Sequence, residues 1–376
     1  MNLLLINPYD YRTVQSNPGL LSFLHVLETE KIRYAMTVPG PVVRDGFKYI
    51  ETPENILDTE TNNIGNLASR VTTNELTHVI AIDPEGAMTA MRLLETINRR
   101  DVRCSYISYE ILFRNEIIFP KEQKLKEFDL AYLRLCKEVL IQDSLRGEMY
   151  RRETGFNGSL FFAPVSPHEY LGAPPDKASL RKTLNLPLDK KLLIYSGALD
   201  AYAKPDWWIE IAECLPENYI FIFISFDGRQ FNDPTLARIG RVLSSMGNAR
   251  FIRKELPAHQ YMQLLRACDV GVALFRPVYT HWMNGRNIRQ MGLSSGKFCN
   301  YVSCGLPVIC DSNQDQFRQL AEEYPVIQTI SAPGEVPSKL ERLSEITHET
   351  ETWCRKLFMD VLNPCNGIKN YLGALN

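Results

Sequence analysis

The feature that most constrains the fold is a regular alternation between two kinds of segment. Along nearly the whole chain, apolar runs of four to six residues alternate with stretches of ten or more residues that repeat apolar positions at helical spacing. Strands covered by helices on both faces have such near-continuous apolar runs, so the sequence predicts an α/β protein with doubly wound parallel sheets. The predicted strands span residues 3–7, 34–38, 78–82, 103–107, 139–142, 160–163, 191–196, 219–225, 250–253, 270–275, 307–310 and 326–328.

The alternation is interrupted once, which predicts two domains. Residues 164–187 carry several Pro and Gly and no clear period, as linkers do. A chain of 376 residues is also too long for one compact core. We expect one domain over residues 1–170, a second over 180–348, and a final helical segment over about 349–376 with a break at Asn363-Pro364. In doubly wound folds ligands bind at the carboxyl ends of the strands, which places the expected site in the cleft between the domains.

Composition excludes several classes of protein. A formal net charge of -2 argues against nucleic acid as a partner, because nucleic-acid binders need a basic surface. No apolar run approaches the roughly 20 residues that span a bilayer, and the chain begins directly with a strand-like run, so we expect a cytoplasmic protein. The nine cysteines form no C-x-x-C pair and the six histidines no H-E-x-x-H. No D-x-D occurs, so the sequence predicts no metal and no other cofactor.

The most informative motif is Gly292-Leu293-Ser294-Ser295-Gly296-Lys297. Small residues directly before a helix leave unpaired backbone N–H groups at the positive end of the helix dipole, and Lys297 adds a full charge. This pattern favours a phosphate or diphosphate site. The alternative is an N-capping serine followed by a surface lysine.

Two other motifs nearly match the same residues. The stretch fits G-x-S-x-G, but residues 286–291 are too polar to form the strand that a nucleophile elbow requires. It is one residue too short for a P-loop, and Phe298 stands where a magnesium-binding Ser or Thr is needed. Both a serine hydrolase and a P-loop NTPase are therefore disfavoured.

Five landmarks in the second half resemble the nucleotide-binding domain of GT-B glycosyltransferases, which have two Rossmann-like doubly wound domains facing across a cleft. The landmarks are Tyr195-Ser196-Gly197-Ala198-Leu199 with Lys204, the strand 221–224 that leads to Asp227-Gly228, Ala249-Arg250-Phe251-Ile252, residues 267–273, and the block from Ser295-Gly296-Lys297 to Gly305-Leu306-Pro307. In the first half the resemblance is looser and includes the loop Asn17-Pro18-Gly19.

The resemblance implies roles for individual residues. The first domain would bind the acceptor, with Asn17, Pro18 and Gly19 on its side, and the second domain the nucleotide-sugar donor. The family's diphosphate ligands correspond to Lys204 and Lys297. The remaining donor-binding positions implied in this chain are Gly197, Asp227, Phe251, Ile252, Arg253, Ser294, Ser295, Gly296 and Asn300.

The chain departs from the family at one well-known pair. Members similar to glycogen synthase carry two glutamates separated by seven residues, and here Gly292 and Asn300 stand in their places. The amide of Asn300 can still bond ribose hydroxyls. A related variant, Ser-x-Lys-x-x-[Glu/Gln]-Tyr, is approached by residues 295–301. Whether transfer retains or inverts configuration stays open.

An inverting transferase needs a general base in the first domain. Asp83 and Glu85 follow the strand 79–82, and Glu110 follows the strand 103–107, so these three carboxylates are the catalytic candidates. Alternatively, Asp83 is a helix cap and Glu110 a surface residue.

The sequence and the resemblance together indicate a metal-independent glycosyltransferase with a UDP-sugar donor and a saccharide or lipid-linked acceptor. A nucleotide-sugar epimerase of the same fold and a non-catalytic binding subunit remain alternatives. Residues 121–137 are either a solvated helix face or a peripheral contact with the inner face of the membrane. The resemblance also implies that the last helical segment packs on the first domain.

Overall fold

The computed structural model describes residues 2–40, 56–59, 64–71, 75–99, 101–197, 200–225, 234–253, 256 and 258–375. The chain forms two compact units. Unit 1 comprises Met1–His168, Tyr279–Asn287 and Asn363–Asn376, and unit 2 comprises Glu169–Val278 and Ile288–Leu362.

Unit 1 is built on a seven-stranded sheet in the order β3-β2-β1-β4-β5-β6-β7, and every pairing is parallel. The order reverses direction between β1 and β4, which creates a switch point at the carboxyl ends of these strands. The strands are β1 (Asn2–Ile6), β2 (Arg33–Pro39), β3 (Ile56–Thr59), β4 (His78–Ile82), β5 (Arg103–Ile107), β6 (Cys136–Ile141) and β7 (Ser159–Phe162).

The described helices that connect these strands are α1 (Tyr11–Ser16), α2 (Pro18–Thr29), α3 (Ile64–Arg70), α4 (Asp83–Ile97), α5 (Pro120–Leu133) and α6 (Ser144–Thr154). Helix α2 begins where the sequence predicts a loop. Asn17 caps it by accepting a hydrogen bond from the Leu20 amide over 3.1 Å, and Pro18 stands at its first position, where its missing N–H has no consequence.

Unit 2 has a six-stranded, all-parallel sheet in the order β10-β9-β8-β11-β12-β13. The strands are β8 (Lys191–Ser196), β9 (Tyr219–Ser225), β10 (Ala249–Arg253), β11 (Val270–Ala273), β12 (Val308–Asp311) and β13 (Ile327–Ile330). The described helices that flank this sheet are α7 (Lys177–Thr183), α8 (Trp207–Cys214), α9 (Pro234–Ser245), α10 (Ala258–Ala267), α12 (Gly296–Ser303), α13 (Asp315–Glu323), α14 (Val336–Glu345) and α15 (Thr350–Leu357). The short helix α11 (Arg286–Arg289) begins in unit 1 and ends in unit 2.

Both sheets confirm the predicted fold class, and two elements depart from the predicted segments. Strand β3 has only two apolar residues, which is too few for a periodic signal. Helix α7 lies inside the predicted linker, because Asp176 caps it through the Ser179 amide over 2.9 Å despite the preceding prolines.

The terminal segment is divided between the units. Cys354, Leu357 and Phe358 lie in the core of unit 2, where α15 continues as a π-helical turn over Phe358–Leu362. After Pro364, α16 (Cys365–Ala374) packs in unit 1, and Tyr371 donates to Ser105 Oγ over 2.9 Å. The sequence prediction joined the whole segment from about residue 349 to the first domain, whereas in the structure the change of unit falls between residues 362 and 363.

Candidate functional site

Gly197 and Lys297 meet at the carboxyl end of β8. Gly197 has φ 136°, and a Cβ at this position would lie 3.3 Å from Lys297 Nζ. The ammonium group lies 3.9 Å from the centre of the Tyr195 ring and 5.0 Å from that of Phe275. The glycine therefore leaves room for a lysine that is held over aromatic rings.

Lys297 has a charge that no described side chain neutralises. No hydrogen bond or ion pair to its Nζ occurs within the part of the chain that the structure describes. Burial lowers the pKa of Lys297 to about 7, because desolvation disfavours the ammonium form. An anion bound beside Nζ would reverse this shift.

The start of α12 adds further donors beside Lys297. Ser295 caps the helix by accepting from the Phe298 amide over 3.2 Å, and Gly296 and Lys297 are its first two residues. Their amides have no partner within the helix. Ser294 Oγ is buried without a hydrogen-bond partner among the described residues. The predicted cradle thus has amide, hydroxyl and ammonium donors on consecutive residues.

Two glutamines that the sequence analysis did not identify fix this loop. The Gln314 side chain accepts from the Met291 amide over 3.0 Å and donates to the Ile288 carbonyl over 2.7 Å. The Gln316 side chain accepts from the Leu293 amide over 2.9 Å, and it leaves no space for a Cβ at Gly292, whose φ is 37°. Their only sequence signal is a polar run directly after β12.

Lys204 differs from Lys297 because its charge already has a partner. Its side chain is 5 % exposed and forms an ion pair with the fully buried Asp311, the last residue of β12. Its Nζ also lies 3.5 Å from the Trp207 ring centre. The backbone of Lys204 is left-handed, with φ 51°. The predicted contact of Lys204 with a diphosphate stays a prediction, and Asp311 is a group that the sequence analysis missed.

The other predicted donor-side residues have varied surroundings. Asn300 is buried on α12 and hydrogen-bonds to Tyr261, which also contacts Ser196 Oγ over 2.9 Å. Phe251, on the edge strand β10, packs against Phe223 with ring centres 5.3 Å apart. The remaining predicted residues are Ile252, which packs against the core, Arg253, which ends β10, and Asp227, which lies outside the described residues.

In unit 1, Asp83 is a buried hydrogen-bond acceptor. Its Oδ1 accepts from the amides of Tyr109 and Glu110 over 2.7 and 2.8 Å, and its Oδ2 accepts from the Tyr9 hydroxyl. Burial raises the pKa of Asp83 well above its ordinary range. Asp83 stands at the first position of α4 with a strained φ of 56°. Its carboxylate does not cap this helix but connects the loop after β1 with the loop after β5.

Glu110 and Glu85 are more accessible than Asp83. The Glu110 side chain is 23 % exposed, and its Oε2 lies 3.6 Å from the Arg146 guanidinium. Burial raises the pKa of Glu110 to about 7, although the charge of Arg146 acts against this rise. Burial also raises the pKa of the half-buried Glu85. Since Glu110 and Glu85 both raise the pKa of Asp83 by their charge, the three candidates form one cluster.

The predicted acceptor-side loop lies next to this cluster. A Cβ at Gly19 would lie 3.3 Å from the Tyr109 ring and 3.1 Å from the backbone of Val165. A side chain at residue 19 would therefore be crowded against the residue that precedes Glu110. Asn17 and Pro18 start the helix, as described above.

No helix in the ranges given above is long and apolar enough to cross a bilayer. In the same ranges, no group of three or more His, Cys, Asp or Glu residues is placed to hold a metal ion.

The strand order is 3-2-1-4-5-6-7 in the sheet of unit 1 and, counted from β8, 3-2-1-4-5-6 in the sheet of unit 2. Together with the similarity to the solved structures given below, these two parallel sheets show the fold of the GT-B glycosyltransferases. No protein-family model matches the sequence, and no curated protein matches it either.

Several solved structures are similar over the whole chain. HepE from Anabaena, in complex with UDP and glucose, is 14% identical with a TM-score of 0.71, covering 100% of this chain and 99% of that chain. A sucrose-phosphate synthase from Thermosynechococcus elongatus is 13% identical with a TM-score of 0.63, covering 100% and 94%. WaaG, a glycosyltransferase involved in lipopolysaccharide biosynthesis, is 12% identical with a TM-score of 0.64, covering 99% and 98%.

Proposed function

We propose that this protein is a glycosyltransferase that moves a sugar from a UDP-sugar to a hydroxyl of a saccharide or lipid-linked acceptor without a metal ion. The observation that carries this proposal is Lys297, a desolvated cation at the N-terminus of α12 with no anionic partner among the described residues. A buried charge without a partner is unfavourable unless a ligand completes the site.

A diphosphate matches the donors around Lys297. The amides of Gly296 and Lys297, the Ser294 hydroxyl and the ammonium group supply hydrogen bonds and positive charge in one place. As the bond to the sugar breaks, negative charge develops on the leaving nucleoside diphosphate, and these groups stabilise it. Lys204 adds less net charge, because it shares its own with Asp311.

The nucleoside is uridine in this proposal. HepE was solved with UDP, and its similarity to this chain supports the choice of nucleotide. The base lies along Phe251, Ile252 and Arg253 at the end of β10, and the Asn300 amide bonds the ribose hydroxyls.

Glu110 is the best candidate for the general base of an inverting transfer. A base works best when its pKa is near the working pH, and that of Glu110 is about 7. Asp83 is less suitable because its oxygens already accept three hydrogen bonds. A retaining transfer would not use Glu110 as a base, so the anomeric configuration of the product tests this role.

A lipid-linked acceptor would place the protein at the inner face of a membrane. Ile118 and Phe119 support a peripheral contact, since about half of each side chain is exposed directly before α5. Lys121 follows them, with its Nζ 5.8 Å from the Phe119 ring. Flotation with anionic vesicles tests this contact, and equal recovery of wild type and Phe119→Ser would refute it.

Turnover separates the proposal from its alternatives. UDP release that depends on an acceptor, in the presence of a chelator, supports metal-independent transfer. Interconversion of free UDP-sugars would instead indicate an epimerase. A protein that binds UDP but turns over no donor with any acceptor of a broad panel would be a non-catalytic subunit.

A further inference from the structure

The segment Tyr279–Asn287 belongs to unit 1, although it lies between β11 and α12 in the sequence. Trp282 is buried against Leu112 and Leu125. Near the end of the segment, the Arg286 amide donates to Glu116 Oε1 over 2.9 Å, and Glu116 leaves no space for a Cβ at Gly285. The segment is therefore fitted to the residues that follow β5.

Asn287 is the last residue of this segment, and all of its side-chain hydrogen-bonding groups are occupied. Its Oδ1 accepts from the Ile111 amide over 3.0 Å, and its Nδ2 donates to the Ile111 carbonyl over 2.9 Å. Nδ2 also donates to the Trp282 carbonyl over 3.4 Å. An amide side chain that is paired with both backbone groups of one residue fixes the position of that residue.

Arg146 joins Asn287 to Glu110. Its side chain is 1 % exposed, and it donates to the Asn287 carbonyl over 3.2 Å and to Asn287 Oδ1 over 3.0 Å. The same guanidinium donates to the Tyr109 carbonyl over 2.7 Å and lies 3.6 Å from Glu110 Oε2. The backbone from Tyr109 to Ile111 is thus held by Asn287 and Arg146 on one side and by Asp83 on the other.

We propose that Asn287 is a positioning residue for Glu110, which it fixes through Arg146 and through the backbone of Ile111. This inference rests on the proposed function, in which Glu110 is the general base. Replacing Asn287 with alanine removes Oδ1, one of the acceptors of the guanidinium, and the loop that carries Glu110 loses its side-chain attachment at Ile111. The carboxylate then no longer has a fixed place relative to the acceptor hydroxyl.

The charged groups around Glu110 determine in which direction the pH dependence of kcat/KM should shift when Asn287 is replaced. Arg146 lowers the pKa of Glu110, whereas Glu85 and burial raise it. Asp83 and Tyr9 also lie close enough to interact electrostatically with Glu110. If the Arg146 guanidinium is displaced, it no longer lowers the pKa of Glu110, whereas burial and the charge of Glu85 still raise it. The acidic limb of the kcat/KM profile must move to higher pH.

The test compares Asn287→Ala with Asn284→Ala, a matched substitution in the same segment. Hydrogen exchange should become faster in peptides covering residues 106–116 of Asn287→Ala and stay unchanged over residues 292–304. At pH 7, kcat should fall roughly 10- to 100-fold, as expected for a misplaced catalytic group. UDP affinity should change less than twofold, and Asn284→Ala should behave as wild type.

Several results would overturn the inference. They are unchanged exchange over residues 106–116, an unshifted acidic limb, or a loss of UDP affinity as large as the loss in kcat. If Asn287→Ala does not fold, Asn287→Asp keeps the shape and the acceptor but removes both Nδ2 donations. The criteria of hydrogen exchange and UDP affinity then apply to it, whereas the acidic limb is not compared, because the new carboxylate itself raises the pKa of Glu110. If the wild-type protein shows no turnover, only the proposed function is refuted. The hydrogen-exchange experiment still tests whether Asn287 fixes the backbone of Ile111.

Discussion

Replacing Lys297 with methionine should stabilise the free protein and weaken UDP binding at the same time. Methionine fills a similar volume over the Tyr195 and Phe275 rings but has no charge to desolvate. The two effects have opposite signs because Lys297 is unfavourable in the free protein and favourable in the complex. Few substitutions at a merely structural position would produce both effects.

The magnitudes follow from the pKa of Lys297. A fall from its ordinary value of 10.5 to about 7 corresponds to about 5 kcal/mol of desolvation, at 1.36 kcal/mol per pH unit. Lys297 retains partial solvent exposure, which reduces the expected gain in unfolding free energy to roughly 1–3 kcal/mol. Loss of a charged hydrogen bond to the diphosphate should weaken UDP binding by roughly 1.5–3 kcal/mol.

Urea unfolding and calorimetric titration with UDP measure these two quantities, with Lys182→Met, an exposed lysine of α7, as the control. Uridine affinity should be nearly the same in Lys297→Met and wild type. A variant that is less stable than wild type, or that loses equal affinity for uridine and UDP, would refute the assignment of Lys297 to the diphosphate.

The same pKa gives UDP binding a pH dependence. Above pH 7 the free protein loses the Lys297 proton, whereas the complex holds it, so binding takes up a proton and UDP affinity falls as the pH rises from 7 to 9. Arginine keeps its charge throughout this range, so Lys297→Arg should bind UDP with little dependence on pH. The unfolding free energy of the free protein changes in the opposite direction. Between about pH 7 and pH 10.5 the unfolded chain holds the Lys297 proton more often than the free folded protein does. The contribution of Lys297 to the unfolding free energy therefore increases as the pH rises through this range.

Three further predictions concern other parts of the molecule. Lys204→Met should lower the unfolding free energy by roughly 3–5 kcal/mol, because it leaves the buried carboxylate of Asp311 without an opposite charge. The double variant Lys204→Met/Asp311→Leu should recover most of that loss, and an unchanged urea midpoint for the single variant would contradict the ion pair. Glu110→Gln should lower kcat at least 100-fold with unchanged UDP affinity in an inverting reaction, and near-wild-type turnover would exclude Glu110 as the base. Truncation after Leu362 should expose the apolar residues of unit 1 that α16 covers and cause aggregation in light scattering, so a monodisperse and fully active truncated protein would refute this role of the helix.

Much of the fold could be predicted because its strands are dense apolar runs. β1 and β8 are buried along almost their whole length, and both were identified from their sequences. The loop before α12 was also identified, because small residues and a lysine before a helix are a local signal. Signals of this kind lie within a few consecutive residues, so they can be identified from the sequence without knowledge of distant contacts.

The rest depended on contacts between residues that are far apart in sequence. Asp311 neutralises Lys204 because the end of β12 comes close to the loop after β8, and nothing in either segment indicates this pair. Asn287 pairs with Ile111 across 176 residues. The sequence made Asp83 a catalytic candidate or, alternatively, a helix cap, and neither reading indicated that its carboxylate accepts from the amides of Tyr109 and Glu110 after β5.

A crystal structure of the protein grown with UDP and a chelator tests the diphosphate site most directly. We expect a diphosphate within about 3 Å of Lys297 Nζ and of the first amides of α12, with no metal ion between phosphate and protein. Phosphates bound elsewhere would contradict this site. UDP binding that the chelator abolishes and a divalent ion restores would contradict metal independence.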